Sequence, residues 1–309
     1  MQKPCYILAD IGGTNARFAY GDASGIHTKS QRSYRNGDFI RFDDVLAAFL
    51  ADCPPPPLAG GCFAVAGPVA GHAARLTNRN WLIDTDHAAR VAKAPSIRLI
   101  NDLSALARAT ACLSDDQVQV VRGQPAGQSN GQSLVLGLGT GVNIATRMGT
   151  SVLAAEIGHS ALPRHMTELL EQATNQPVPP DTTVEHILSG RGFEAIYQSL
   201  SGKTLGGAEI AALAQAGTDE TALKARGLYQ RLTALYLRDL AFHYLPKDGL
   251  FLAGSVARSL LSDIPVWQLL FALDQDGPFD AVLRDIPVSL ITDDAAALSG
   301  CLETAKDPA

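Results

Sequence analysis

The chain has 309 residues, with 25 Lys and Arg against 31 Asp and Glu and a formal net charge of −6. Hydrophobic residues make up 46% and charged residues 18%, the make-up of an ordinary globular protein with length for two cores. No basic cluster offsets the acidic balance, which argues against a nucleic-acid or anionic-membrane partner.

The five cysteines (Cys5, Cys53, Cys62, Cys112 and Cys301) lie far apart without Cys-x-x-Cys or Cys/His zinc spacing, so reduced thiols are expected. The N-terminus enters a strand without a secretory apolar core, and apolar runs such as 249–253 are too short to span a bilayer. A cytoplasmic protein is the expectation.

Tyr6 to Ala9 form a short apolar run that reads as a buried strand, ended by Asp10. Gly12 and Gly13 supply a sharp reversal, and Arg17 to Tyr20 return as a second strand. Thr14 and Asn15 stand at the tip, where successive backbone N–H groups make a concavity for anionic oxygens. Asp10, at the strand end, could reach a divalent cation attached to those oxygens. A third strand is expected over 28–34 and a helix over 42–51, stopped by Pro54 to Pro57.

A buried strand is expected at 62–66, a helix at 84–94, and a strand at 97–100 that delivers Asn101 and Asp102 to the start of a helix over 103–113. Strand ends of that kind are where α/β folds place their chemistry. Trp81 reads as core rather than as a ligand platform.

A brief strand at 117–121 and a polar loop at 125–131 lead to residues 133–146, which repeat the opening device. Gly137, Gly139, Thr140 and Gly141 stand where Gly12, Gly13 and Thr14 stood before, which suggests internal duplication. Two such turns facing each other would clamp a polyphosphate. Ala155-Glu-Ile-Gly-His159 follows, then a proline-broken stretch to Pro180. Helices are expected from Thr182, over 193–200, 208–216 and 220–242. A strand over 249–253 reaches Gly254 and Ser255, a helix runs to about 261, and a strand at 288–292 precedes a closing helix at 294–305. The alternation predicts a mainly parallel sheet in the second half.

These motifs resemble those of the bacterial ATP-dependent glucokinases, within the actin-like superfamily of sugar kinases. The resemblance rests on Asp10-x-Gly-Gly-Thr-Asn-Ala-Arg17, Leu76-Thr-Asn78, Ile100-Asn-Asp102, Gly137-x-Gly-Thr-Gly141, Glu156-x-x-His159, Glu185-His-Ile-Leu-Ser-Gly190 and Ala253-Gly254, in the family's order. It implies an α/β chain with the two-domain actin-like (ribonuclease H-like) ATPase fold and a cleft between the domains. A small domain would comprise 1–108, completed by a C-terminal helix within 293–309, and a large domain 109–292.

The resemblance further implies transfer of the ATP γ-phosphoryl group to the 6-hydroxyl of glucose, with Mg²⁺. Asp102 matches the catalytic base, and Asn78, Asn101, Asp102, Glu156, His159 and Glu185 match the sugar site. Asp10, Gly12, Gly13, Thr14, Asn15, Gly137, Gly139, Thr140 and Gly141 match the phosphate-facing loops, with Asp10 toward the metal. Gly254 and Ser255 match the adenosine cradle. A homodimer is implied, and no structural zinc.

Sugar hydroxyls both donate and accept, so carboxylates, an amide and an imidazole suit them. A primary alcohol attacking phosphorus must lose its proton to a positioned base. The chain departs from the pattern at Ile157, where the family shows glycine, at Gly141-Val-Asn143 in place of Gly-Leu-Gly, and in an adenosine loop one residue short. A kinase for fructose, mannose or an amino sugar, or a low-turnover sugar-binding regulator on the same fold, stays open at this point.

Overall fold

The computed structural model describes residues 3–76, 79–123, 129–262, 277 and 279–307. The chain divides into two compact units: Met1–Ser114 with Thr150–Val152 and Asp293–Ala309, and Asp115–Gly149 with Leu153–Thr292.

In the first unit, β1 (Cys5–Ile11) and β2 (Asn15–Asp22) form the opening hairpin, with Asp10 opposite Arg17. The short β3 (Gly25–Ile26) and β4 (Arg32–Arg35) both pair with β2. The single strand expected over 28–34 is therefore corrected to a 3₁₀ turn at Thr28–Ser30 followed by β4. Ser30 causes the break: its hydroxyl accepts from the Tyr20 N–H at 2.9 Å, occupying a ladder donor with a side chain.

Helix α1 (Phe42–Asp52) buries Phe42, Val45, Leu46 and Phe49, the one-face spacing of an amphipathic helix. Asp43 and Asp44 complement its dipole, and the prolines after Cys53 bar its extension. Phe49 stacks on Phe18 of β2 with ring centroids 5.0 Å apart, which fixes the helix on the sheet.

Beyond α1, β5 (Leu58–Val65) pairs parallel with β1, and a small antiparallel sheet follows from β6 (Val69–Ala70), β7 (Ala73–Arg75) and β8 (Leu82–Asp84). Trp81 is 2% exposed and its indole N–H donates to the Ile40 carbonyl at 2.8 Å, so it is core. Helix α2 (Thr85–Ala92) starts at Asp84, whose carboxylate accepts from His87 N. Strand β9 (Ile97–Asn101) pairs parallel with β5 and leads directly into α3 (Asp102–Ala109). The strand order is β3–β2–β1–β5–β9.

The second sheet carries β10 (Val118–Arg122), β11 (Gln132–Leu138), β12 (Val142–Met148) and β13 (Ser151–Ala154). The helices of the second unit are α4 (Arg164–Thr174), α5 (Val184–Leu188), α6 (Gly190–Ser201), α7 (Gly207–Ala216) and α8 (Glu220–Tyr244). Then come β14 (Gly249–Ala253), α9 (Ser255–Leu261), α10 (Asp280–Arg284) and β15 (Val288–Ile291).

Helix α4 lies inside the stretch expected to be proline-broken. Pro163 occupies its N-cap, where the ring's fixed φ suits a helix start and no ladder donor is lost. The parallel-sheet expectation is also corrected. Strand β14 runs parallel to β11 and β15, but β11 with β12 and β10 with β15 are antiparallel. Read from β13, the order β13–β12–β11–β14–β15 repeats β3–β2–β1–β5–β9, so the two hairpins head equivalent sheets.

Helix α8 packs Leu232, Leu237 and Leu240 into the second core, and its Tyr229 hydroxyl donates to the Leu188 carbonyl at the end of α5. The closing helix α11 (Ala296–Lys306) belongs to the first unit. Its Leu298, Cys301 and Leu302 cover Leu8, Ala19, Cys62 and Ala64 on one sheet face. Gly300 lets it approach α3 closely, because a Cβ there would overlap the Ala105 carbonyl. Each unit is thus α/β, with helices packed on a mixed sheet. Among the described residues, no helix is long and apolar enough to cross a membrane.

Candidate active site

Parallel pairing brings the carboxyl ends of β1, β5 and β9 level, with Ile11 opposite Val65 and Val65 opposite Asn101. The hairpin turn and the Asn101-Asp102 corner therefore open on one sheet end, where a crevice forms in α/β folds. The turn is closed by the Gly12 N–H donating to the Asn15 carbonyl at 3.0 Å. It leaves Gly13, Thr14 and Asn15 at the tip.

Asn36 fixes this turn from outside. Its backbone N–H donates to the Thr14 carbonyl and its Nδ2 to the Gly12 carbonyl, each at 2.8 Å, and the residue is fully buried. Sequence reasoning missed it, since one asparagine before a glycine carries no motif.

Asp10 is 8% exposed, and Arg17 Nη1 lies 3.3 Å from its Oδ2. Burial pushes its carboxyl up from 3.8 to about 6; Arg17 opposes this, while the charges of Asp102 and Asp294 add to it. Arg17 also reaches Asp294 Oδ2 at 3.6 Å.

Asn101 is the N-cap of α3, its Oδ1 accepting from Leu103 N at 3.0 Å and Ser104 N at 3.4 Å. Its Nδ2 points toward the Gly67 carbonyl, 3.4 Å away. Asp102 takes the first helical position, and its Oδ1 accepts from Leu103 N at 2.8 Å. Capping thus belongs to Asn101, while Asp102 has a carboxylate whose proton affinity burial raises above the usual carboxylate range. Asn78 lies outside the described residues.

In the second unit the turn between β11 and β12 is closed one residue more tightly, with the Gly139 N–H donating to the Gly141 carbonyl at 3.0 Å. A Cβ on Gly139 would meet nothing within 4 Å, so its face is open. Thr140 stands beside it at the exposed tip, and Gly137 lies in β11 opposite Asn143. The Gly139 carbonyl accepts from Gly190 N at 2.9 Å, tying the turn to the start of α6.

Glu185 lies in the first turn of α5, capped by Thr183. Its Oε2 accepts from Val142 N at 3.0 Å, and a Cβ on Gly141 would come within 2.6 Å of that oxygen. Glycine at 141 therefore makes room for the carboxylate. Glu156 is the N-cap of a 3₁₀ turn, Ile157–His159, whose last residue is His159, and both residues are exposed. Gly158 between them is buried, and a Cβ there would overlap the Val142 carbonyl. Ile157 packs against the unit's hydrophobic core. Asn143 Nδ2 donates to Glu156 Oε2 at 3.0 Å, an arrangement visible in the sequence only as a departure from the family pattern.

Gly254 has φ of 101°, a left-handed conformation, and a Cβ on it would overlap the Leu138 carbonyl. It follows β14 directly and leads into α9 at the exposed Ser255, beside the β11–β12 turn. The structure thus gathers the Gly137–Gly141 turn, Glu156, His159, Glu185, Gly254 and Ser255 around the ends of β11, β12 and β14. It gathers Asp10, the Gly12–Asn15 turn, Asn101 and Asp102 around the ends of β1 and β9.

A sequence profile described as glucokinase matches residues 7–307. A glucokinase of Nostoc punctiforme is 30% identical over 330 residues, covering 95% of this chain and 96% of the relative. The solved glucokinase of an Antarctic psychrotroph is 26% identical with a TM-score of 0.84, covering 98% of this chain and 99% of that one. A glucokinase of Streptomyces griseus, solved with glucose and AMPPNP, shares the fold at 18% identity and a TM-score of 0.59, covering 98% and 99%. By the reach of that profile along its length, the chain belongs to the glucokinase family.

Proposed function

We infer that the chain transfers the γ-phosphoryl group of ATP to the 6-hydroxyl of glucose, giving glucose 6-phosphate and ADP. The observation that carries this reading is the Asn101-Asp102 corner. Asn101 caps the helix, and Asp102 beside it, although its Oδ1 also accepts from Leu103 N, carries a carboxylate whose proton affinity burial raises. Asp102 accepts the proton of the attacking hydroxyl and orients it.

Asn101, whose Oδ1 is engaged by the helix and whose Nδ2 donates to the Gly67 carbonyl, would turn an Nδ2 hydrogen to a sugar oxygen. Asn78, Glu156, His159 and Glu185 take the remaining hydroxyls. The Gly12–Asn15 and Gly137–Gly141 turns direct backbone N–H groups at the phosphates, and Gly254 with Ser255 borders the adenosine. Arg17 engages Oδ2 of Asp10, so Oδ1 is the oxygen that could face Mg²⁺, which takes one or two carboxylates beside phosphate oxygens and water. When bound there, Mg²⁺ would offset charge on the β- and γ-phosphates. The active species in this reading is a homodimer in the cytoplasm.

A coupled ADP-release assay over glucose, fructose, mannose and glucosamine tests the assignment. Glucose should give the highest kcat/KM. ADP release indifferent to the sugar, or a higher value for another hexose, would overturn it.

A further inference from the structure

We propose that Asn143 is a positioning residue that aims Glu156 at the sugar, an inference that rests on the reading of Glu156 as a sugar ligand. Asn143 is the second residue of β12, and its carboxamide joins two segments of chain. Its Oδ1 accepts from Ile144 N at 2.8 Å and from Ile157 N at 3.1 Å. Its Nδ2 donates to Glu156 Oε2 at 3.0 Å. The carboxamide therefore holds both the backbone just after Glu156 and the carboxylate itself.

The surroundings explain why a side chain is needed. Gly158 seats the turn on the Val142 carbonyl, so backbone contact fixes where the turn lies. Glu156 is exposed, and a glutamate side chain left to itself samples many rotamers. The bond from Asn143 selects one of them and leaves Oε1 to accept from a hydroxyl. The preceding residue treats the other carboxylate alike, since Val142 N donates to Glu185 Oε2 at 3.0 Å. The first two residues of β12 thus aim two like charges, each held by its own donor.

Asn143→Asp tests this by keeping the shape and the acceptor for Ile157 N while setting a second carboxylate against Glu156. At pH 8 the glucose KM should rise about tenfold or more, the worth of a charge-assisted hydrogen bond, with the ATP KM within about twofold. The glucose defect should shrink toward pH 6 as the paired carboxylates share a proton, a response that a packing defect would not give. In a Glu156→Gln background, Asn143→Asp should add little, because the glutamine amide can donate to the new carboxylate. Asn143→Ser, which loses the reach to Glu156, should show the same split if the aspartate variant does not fold. Glucose KM raised by Glu156→Gln but not by either Asn143 variant would overturn the role of Asn143 alone, as would equal losses for glucose and ATP. Glu156→Gln with an unchanged glucose KM would overturn the sugar-ligand reading and this inference with it.

Discussion

Asp10→Asn is expected to make the protein more stable and less active. The carboxyl sits between Arg17 and the backbone of three paired strands, and its pKa rises from 3.8 to about 6. About two pH units correspond to about 3 kcal/mol of disfavoured ionisation at neutral pH. Asparagine removes the charge yet keeps a carbonyl oxygen for Arg17, which also retains Asp294 at 3.6 Å. A gain of about 1–3 kcal/mol at pH 7.5 follows.

The pH dependence carries the sign. Protonated Asp10 favours the folded state, so its contribution is fully present below pH 3.8 and is lost as pH rises through 6. The two proteins should therefore be equally stable near pH 3.5, diverge between pH 4 and 6, and keep a constant difference above. Urea unfolding across pH 3.5–8 measures this, and the other carboxylates cancel in the difference. Equal stability at pH 7.5, or a gap that persists unchanged to pH 3.5, would refute the reasoning. Activity with MgATP should fall in the same variant, so the charge would persist for function and against stability.

Three further outcomes are expected. Asp102→Asn should lower kcat by about 10²–10⁴-fold while Tm holds, because Asn101 caps α3; a variant with a tenth of wild-type turnover would remove the base assignment. Gly139→Val should fold normally, given the open space at its Cβ, and raise the ATP KM with glucose affinity kept; a collapse of glucose binding alone would misplace the turn. Ile157→Ala should cost about 1–3 kcal/mol of stability with the relative kcat/KM among hexoses unchanged, since the side chain packs inward; an altered hexose profile would put it at the sugar.

The hairpins were legible because strand, glycine turn and returning strand are all local. Asn101 and Asp102 were legible at a strand end for the same reason. What stayed hidden was set by contacts distant in sequence. Asn36 braces a turn about twenty residues upstream, and nothing around it marks that task. Ile157 stood out as a bulky residue in a loop pattern, and only the core behind it turns it inward. The break at Ser30 came from one hydroxyl taking a backbone partner, which periodicity does not register. Helix α4 was masked by flanking prolines that in fact bound it.

The packing of α11 against α3 and the first sheet governs the order in which the protein can be completed as it is synthesised. Leu8, Cys62 and Ala64 emerge early, yet their cover arrives with Leu298, Cys301 and Leu302. Residues 115–292 must be made in between, roughly 10–35 s at ordinary elongation rates. The second unit can therefore close its core while the first still waits with an apolar face exposed. Arg108 and Arg98, which bind carbonyls of Glu303, Thr304 and Asp307, are the last clasps to form. A nascent chain that stops short of α11 leaves the strand bearing Asp10 and the helix bearing Asp102 without their shared support.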